Sequence, residues 1–415
     1  MSDRPELTEL IYDWNVAGGD YPSRTHPIEF DDETLRDGLQ SPSVKDPDID
    51  LKLRLLHLME RLGIHTLNIG LPGAGPRARE DIARLCREIV DQKLNIKANC
   101  AVRTMRSDIT PLVEISQQAG IPIEACTFIG SSPIRQYAEE WTLDHMLKLT
   151  EDAVSYAVEN GLPVMYVTED TCRATPDTIR RLLQTAIGAG AGRVCVCDTV
   201  GHITPQGVRN LLKFVREVVS ETGKEIKIDW HGHNDRGLGV ANTIAAVLAG
   251  VDRVHATALG IGERVGNCSM DQLLINLRLM GYIDTDLSPL KEYVELASQG
   301  LGVSIADSYP AFGQDAFRTA TGVHAAAIIK AQRKGDDWLA DRVYSGVPAG
   351  MIGTKQKIEV GYMSGTSNIV HWLKEHDHEV SDELVKEILR EAKTTNRVLT
   401  DQELTLICEA HGSRS

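Results

Sequence analysis

Between Pro27 and about residue 280 the chain repeats one pattern eight times, and this rhythm limits its fold more than any other feature. Short strand-like runs begin near Ile28, His65, Asn95, Pro122, Pro163, Arg193, Glu225 and Arg253, at intervals of 27 to 41 residues. The gaps hold stretches of helical periodicity, for example 50–62, 78–92, 143–160, 176–189 and 205–221. Eight β–α units of about 30 residues amount to the ~250 residues of a (β/α)8 barrel. A doubly wound open sheet is the competing architecture, but no Gly-x-Gly-x-x-Gly turn follows the first strand. The expected fold is therefore α/β, a TIM barrel over residues 25–285.

Outside that span the rhythm is absent. Residues 1–24 are polar and irregular apart from an apolar patch at residues 10–14, and should lie across a surface or reach a partner subunit. Residues 286–415 read as a helical accessory region, with helices near 287–302 and up to residue 330, then two or three amphipathic helices from 368 to 409. Their apolar faces are expected to need the barrel rim or another subunit to cover them.

Composition narrows the function classes. The net charge of −15 argues against nucleic-acid or anionic-membrane partners. No apolar run reaches the ~20 residues that span a bilayer, and the first residues carry no secretory signal pattern. Eight cysteines without Cys-x-x-Cys spacing read as reduced thiols of a cytoplasmic protein.

A barrel of this kind carries its chemistry at the carboxyl ends of its strands. Those ends here read Thr34-Leu-Arg-Asp-Gly38, Gly70-Leu-Pro72, Arg103, Ser131-Ser132, Thr168-Glu-Asp170, Asp198-Thr199, His231-Gly-His233 and 260–267. Polar groups gather where the fold predicts a site. His231 and His233 lie two apart on an extended chain, so both rings face one side, roughly 6.6 Å apart along the strand. Asp37 follows the first strand. Beside it, Arg36 points to the opposite pleat if the strand continues and into the mouth if it has ended. Three glycines at 260, 262 and 266 let the backbone turn and bring Asn267 inwards. Strands 1, 7 and 8 are neighbours in a closed barrel. One carboxylate, two imidazoles and one amide oxygen suit Mg²⁺, Mn²⁺, Co²⁺ or Zn²⁺, with positions left for a bidentate substrate.

Thr34-Leu-Arg-Asp-Gly-Leu-Gln40, His231-Gly-His-Asn-Asp235 and Gly262-Glu-Arg-Val-Gly-Asn267 together resemble the signatures of the DRE-TIM metallolyase superfamily. Within it the chain is similar to the 2-isopropylmalate synthase and homocitrate synthase branch, from about residue 27 to about 410. The resemblance implies a metal-dependent Claisen condensation of acetyl-CoA with a 2-oxoacid. It implies Asp37, His231, His233 and Asn267 as metal ligands, Arg36 facing the carbonyl and enolate oxygen, and Thr199 on the ketoacid carboxylate. Gln40 and Arg103 join the substrate contacts. Glu169 and His324 would act near the acetyl methyl, with His324 and Tyr344 reaching in from the other subunit of a homodimer.

Two departures bear on the substrate. Asn68 stands where these synthases usually carry a Glu, and Arg135 where a His commonly follows Ser-Pro-Ile. The favoured 2-oxoacid is 2-oxoisovalerate, giving 2-isopropylmalate as in leucine biosynthesis. Homocitrate synthesis is one alternative, because Arg103 or Arg135 offers a cation for a second carboxylate, and citramalate synthesis from pyruvate is another. A retro-Claisen or aldol lyase of the same superfamily is a further alternative. No C-terminal regulatory domain of the kind that mediates leucine feedback is expected within these 415 residues.

Overall fold

The computed structural model describes residues 10–24 and 26–412. Eight parallel strands close into a barrel in sequence order: β1 (Glu29–Asp32), β2 (Thr66–Asn68), β3 (Lys97–Arg103), β4 (Glu124–Gly130), β5 (Val164–Glu169), β6 (Arg193–Asp198), β7 (Lys227–Gly232) and β8 (Arg253–Ala256). Closure is made by β1 against β8, with Phe30 opposite Val254 and Asp32 opposite Ala256. All eight strands begin within two residues of their expected positions.

The helices between the strands start where local chemistry favours it. Thr175-Pro176 and Thr204-Pro205 each supply a hydroxyl cap and a proline at the first helical position. Such a cap satisfies a backbone N–H that the helix leaves free, and proline has no N–H to lose there. Helices Pro76–Asp91 and Pro205–Glu221 turn apolar stripes inward, for instance Ile82, Leu85 and Ile89. Ahead of the barrel, Arg24 donates to the carbonyls of Val247 (3.1 Å) and Val251 (2.6 Å), which ties the N-terminal segment to this unit. The apolar patch at 10–14 remains exposed, Trp14 most of all. Among the described residues no helix is long and apolar enough to cross a membrane. All eight cysteines are free thiols.

The chain divides into two compact units, residues up to Thr285 with Gly300–Gly302, and Asp286–Gln299 with Val303 onwards. In the second unit helices Thr366–Glu375, Asp382–Thr394 and Asp401–Gly412 bury Ile369, Trp372, Leu373, Leu384, Ile388 and Leu404 against one another. This corrects the expectation that these faces depend on an outside partner. The three amphipathic stripes meet in a core of their own, and the Trp372 indole donates to Asp401 at 2.8 Å. The same unit also holds a parallel ribbon, Arg318–Thr319 with Lys357–Ile358. Two-residue strands are too short for periodicity to reveal.

Candidate active site at the barrel mouth

β1 ends at Asp32, five residues before Asp37. The chain then folds back on itself, with the Arg36 and Gly38 amides donating to the Glu33 carbonyl. Because the strand has ended, Arg36 and Asp37 both enter the barrel mouth. On β7, His231 is in the strand and His233 just beyond it, held by its amide to the Asp198 carbonyl at 3.1 Å. Asn267 forms an antiparallel bridge with His233. The intervening turn needs glycine. A Cβ on Gly266 would lie 1.8 Å from the Gly260 oxygen, and one on Gly262 would lie 2.2 Å from Asn267 Nδ2.

Asp37 Oδ2 lies 3.4 Å from His231 Nε2 and 3.6 Å from His233 Nε2, all three side chains being buried. Atoms that share one ion at about 2.0–2.2 Å sit about 3–3.5 Å from one another, so this spacing fits a metal. Asn267 Oδ1 and His233 Nδ1 are buried without hydrogen-bond partners. Burial, and then the neighbouring His231, push the His233 imidazole down to about 4, which keeps it neutral and able to donate a lone pair.

A second group of donors, Glu33, His231 and His255, adjoins the first. Arg36 decides between them. Its Nη2 lies 2.6 Å from Glu33 Oε1, so an ion there would face a guanidinium already in place. Burial opposes charge on Glu33, yet Arg36, His231 and His255 hold its carboxyl well below the usual range. Burial also opposes charge on His255, but Asp31, Glu33 and the contact to Asp229 raise its pKa well above the ordinary value. The first group is the better metal centre.

Neither Glu33 nor His255 stood out in the sequence. The signal was available for His255, since Arg253 and His255 alternate along β8 on one face, where a buried parallel strand ordinarily carries apolar residues. Arg36 itself is raised further by Glu33 and Asp37 against the effect of burial, and its Nε, also buried, has no partner. One donor of a cavity-lining guanidinium is therefore unused.

That cavity measures about 340 Å³ and is also lined by Gln40, Asn68, Glu169 and Thr199. Beside these polar groups its wall also holds Leu71, Ala101, Phe128, Met165 and Val167 with three cysteines. The Thr199 hydroxyl accepts from the Asp170 amide at 2.8 Å, which leaves its proton free to be donated. Burial raises the Glu169 carboxyl above its ordinary pKa, opposed by Arg135. Arg103 does not join the group: Asp108 grips its guanidinium at 2.7 and 2.9 Å, and the side chain is mostly exposed. Arg135 is bonded to Glu139 at 3.0 Å. The departure at Asn68 lies against Glu33, with Nδ2 3.4 Å from Oε1. His324 and Tyr344 belong to the second unit, where their exposed rings stack with centroids 4.0 Å apart.

Fold and site together define a TIM barrel with a carboxylate–imidazole centre for a divalent ion. The HMGL-like family model matches residues 27–297, and the chain belongs to that family. Homocitrate synthase AksA of Methanopyrus kandleri is 31% identical over 365 residues, 87% of this chain and 86% of that protein. The 2-isopropylmalate synthase of Sulfolobus acidocaldarius is 30% identical over 370 residues, 88% and 90% of the two chains. Among solved structures, HMG-CoA lyase of Bacillus subtilis superposes with a TM-score of 0.55 at 19% identity, over 68% of this chain and 94% of that one. At that identity the likeness speaks for the barrel alone. Membership of this family implies a divalent metal.

Proposed function

We propose that this enzyme condenses acetyl-CoA with a 2-oxoacid whose side chain is apolar, 2-oxoisovalerate first, to give 2-isopropylmalate and free CoA. The carrying observation is the small cavity at the barrel mouth, where Leu71, Ala101, Phe128, Met165 and Val167 line the space beside the polar cluster and leave room for an apolar side chain. Relatives named 2-isopropylmalate synthase support the same reading.

In this reading Asp37, His231, His233 and Asn267 hold the ion. A bound divalent ion polarises the 2-oxo group and neutralises charge that develops on its oxygen. Thr199 donates its hydroxyl to the substrate carboxylate. The unused Arg36 Nε donates to the carbonyl oxygen, an interaction that strengthens as that oxygen becomes an alkoxide. Glu169 takes the proton from the acetyl methyl, and its raised pKa suits a general base. Gln40 contacts substrate at the entrance. Water then cleaves the thioester, which makes the overall step effectively irreversible.

His324 and Tyr344 serve the barrel of a second subunit in a homodimer. The test mixes inactive Arg36→Ala with inactive His324→Ala and allows subunits to exchange. Shared sites regenerate one intact site in each mixed dimer, whereas sites built within one chain regenerate none.

The relative named homocitrate synthase favours a second reading with 2-oxoglutarate. A dicarboxylate needs another cation; Arg103 and Arg264 are engaged by Asp108 and Asp235, and Arg135 is paired with Glu139 while its Nε has no hydrogen-bond partner. Leaving a carboxylate without a partner in this cavity is costly. Thiol release from acetyl-CoA with 2-oxoisovalerate, pyruvate and 2-oxoglutarate decides the matter. The highest kcat/KM should fall to 2-oxoisovalerate. Preference for 2-oxoglutarate, or release with none of them, overturns the reading.

A further inference from the structure

Glu33 is 2% exposed and has four polar neighbours. Oε1 lies 2.6 Å from Arg36 Nη2, 3.4 Å from His255 Nδ1 and 3.4 Å from Asn68 Nδ2. Oε2 lies 2.8 Å from His231 Nδ1, a close ion-pair contact without the alignment of a full hydrogen bond. The other nitrogen of that ring faces Asp37. We infer that Glu33 is a positioning residue that couples the metal ligand His231 to Arg36 through its two carboxylate oxygens. The inference rests on the metal-dependent reading of this site and goes beyond it, because that reading gives Glu33 no part.

Two physical effects follow from one side chain. A carboxylate beside Nδ1 favours the tautomer with its proton there, and so keeps the Nε2 lone pair directed at the metal position. The same carboxylate draws Arg36 Nη2 to 2.6 Å and so competes with Asp37 for the guanidinium. Arg36 Nη1 is already 3.6 Å from Asp37 Oδ2, the oxygen that faces both imidazoles. Without the charge on Glu33, the guanidinium is free to close on Asp37 and compete with the ion for that oxygen. Beneath, His255 is fastened to Asp229 at 3.0 Å, so the bridge stands on a fixed support.

The test uses the full chain stripped of metal and titrated with Co²⁺, read by its visible absorption. Glu33→Gln keeps the shape and removes the charge. Co²⁺ affinity should fall about 10–100-fold, the usual consequence of losing a partner of a ligating histidine. In the loaded enzyme kcat should fall more than KM for the 2-oxoacid changes. The paired variant Glu33→Gln/Asn68→Asp moves the negative charge to the neighbouring strand without changing either side chain's size. It should recover Co²⁺ affinity and kcat over Glu33→Gln, which a merely space-filling role would not allow. Unchanged Co²⁺ affinity in Glu33→Gln overturns the inference, and so does a folded paired variant that binds no better than the single one. If Glu33→Gln does not fold, Glu33→Asp takes its place: weakened affinity supports the bridge and unchanged affinity overturns it. Co²⁺ binding needs no substrate, so an enzyme inactive with every 2-oxoacid would refute the condensation reading while this test still stands.

Discussion

The two ends of the barrel interior are both polar, and they differ in whether their buried polar atoms are paired. At the end where the strands begin, Arg253 binds Asp229 (2.6 Å), Glu124 (2.6 Å) and Thr66 (3.2 Å). Arg193 binds Asp229 (2.5 Å) and Glu29 (2.7 Å), and Lys227 binds Glu29 (2.7 Å). At the end where the strands finish, Arg36 Nε, His233 Nδ1 and Asn267 Oδ1 are buried without partners. Asp31 Oδ2 and Asn99 Oδ1, nearer the middle, share that condition. A buried polar atom left unpaired costs stability, and a fold tolerates a cluster of them where a ligand completes the set. Paired polar atoms therefore mark the scaffold and unpaired ones the site, within one barrel.

If the division is right, perturbing one end should leave the other's property intact. The largest effect is expected from EDTA, which should abolish thiol release while the far-ultraviolet circular dichroism stays unchanged, with Mn²⁺, Mg²⁺, Co²⁺ or Zn²⁺ restoring activity. Turnover by rigorously metal-free protein would break the comparison. Next, Arg253→Met removes a buried partner from both Asp229 and Glu124 and should cost about 3–5 kcal/mol in denaturant unfolding. A smaller loss than that of an exposed ion pair would show the lower network to be idle. Arg36→Ala should lower kcat about 10²–10³-fold, the scale of one lost transition-state donor, with much less effect on unfolding than Arg253→Met.

A subtler effect concerns pH. Burial raises the Glu169 pKa, and a base works as the carboxylate. Activity should therefore fall on acidification through a limb lying above that of an ordinary glutamate. Arg135 opposes the shift, so Arg135→Ala should move the limb of kcat/KM further up; movement downward would remove Glu169 from the role. The smallest effect is expected at Lys227, whose side chain is half exposed. Lys227→Met should change stability by about 0–1 kcal/mol, which sets the floor against which Arg253 is judged.

How much of this was legible before folding can be seen residue by residue. Asp37, His231 and His233 were legible because a strand's two-residue period and barrel closure bring their positions together whatever surrounds them. Arg36 was legible as a choice between two directions, and the end of β1 at Asp32 made the choice. Glu33 was not legible, because its importance lies in contacts to residues 35 and 198 positions away, Asn68 and His231. Arg103 had the right type and the right strand end, yet Asp108, five residues on, draws it outward.

The sequence by itself determined the eight-unit barrel, the polar strand ends and the convergence of Asp37, His231 and His233, since each follows from local periodicity and backbone geometry. Only the tertiary structure decided which buried charges are matched, that Arg36 keeps a free donor, and that the last three helices close on a core of their own. Those properties depend on pairings between distant segments, and a pairing has no signature in either segment alone.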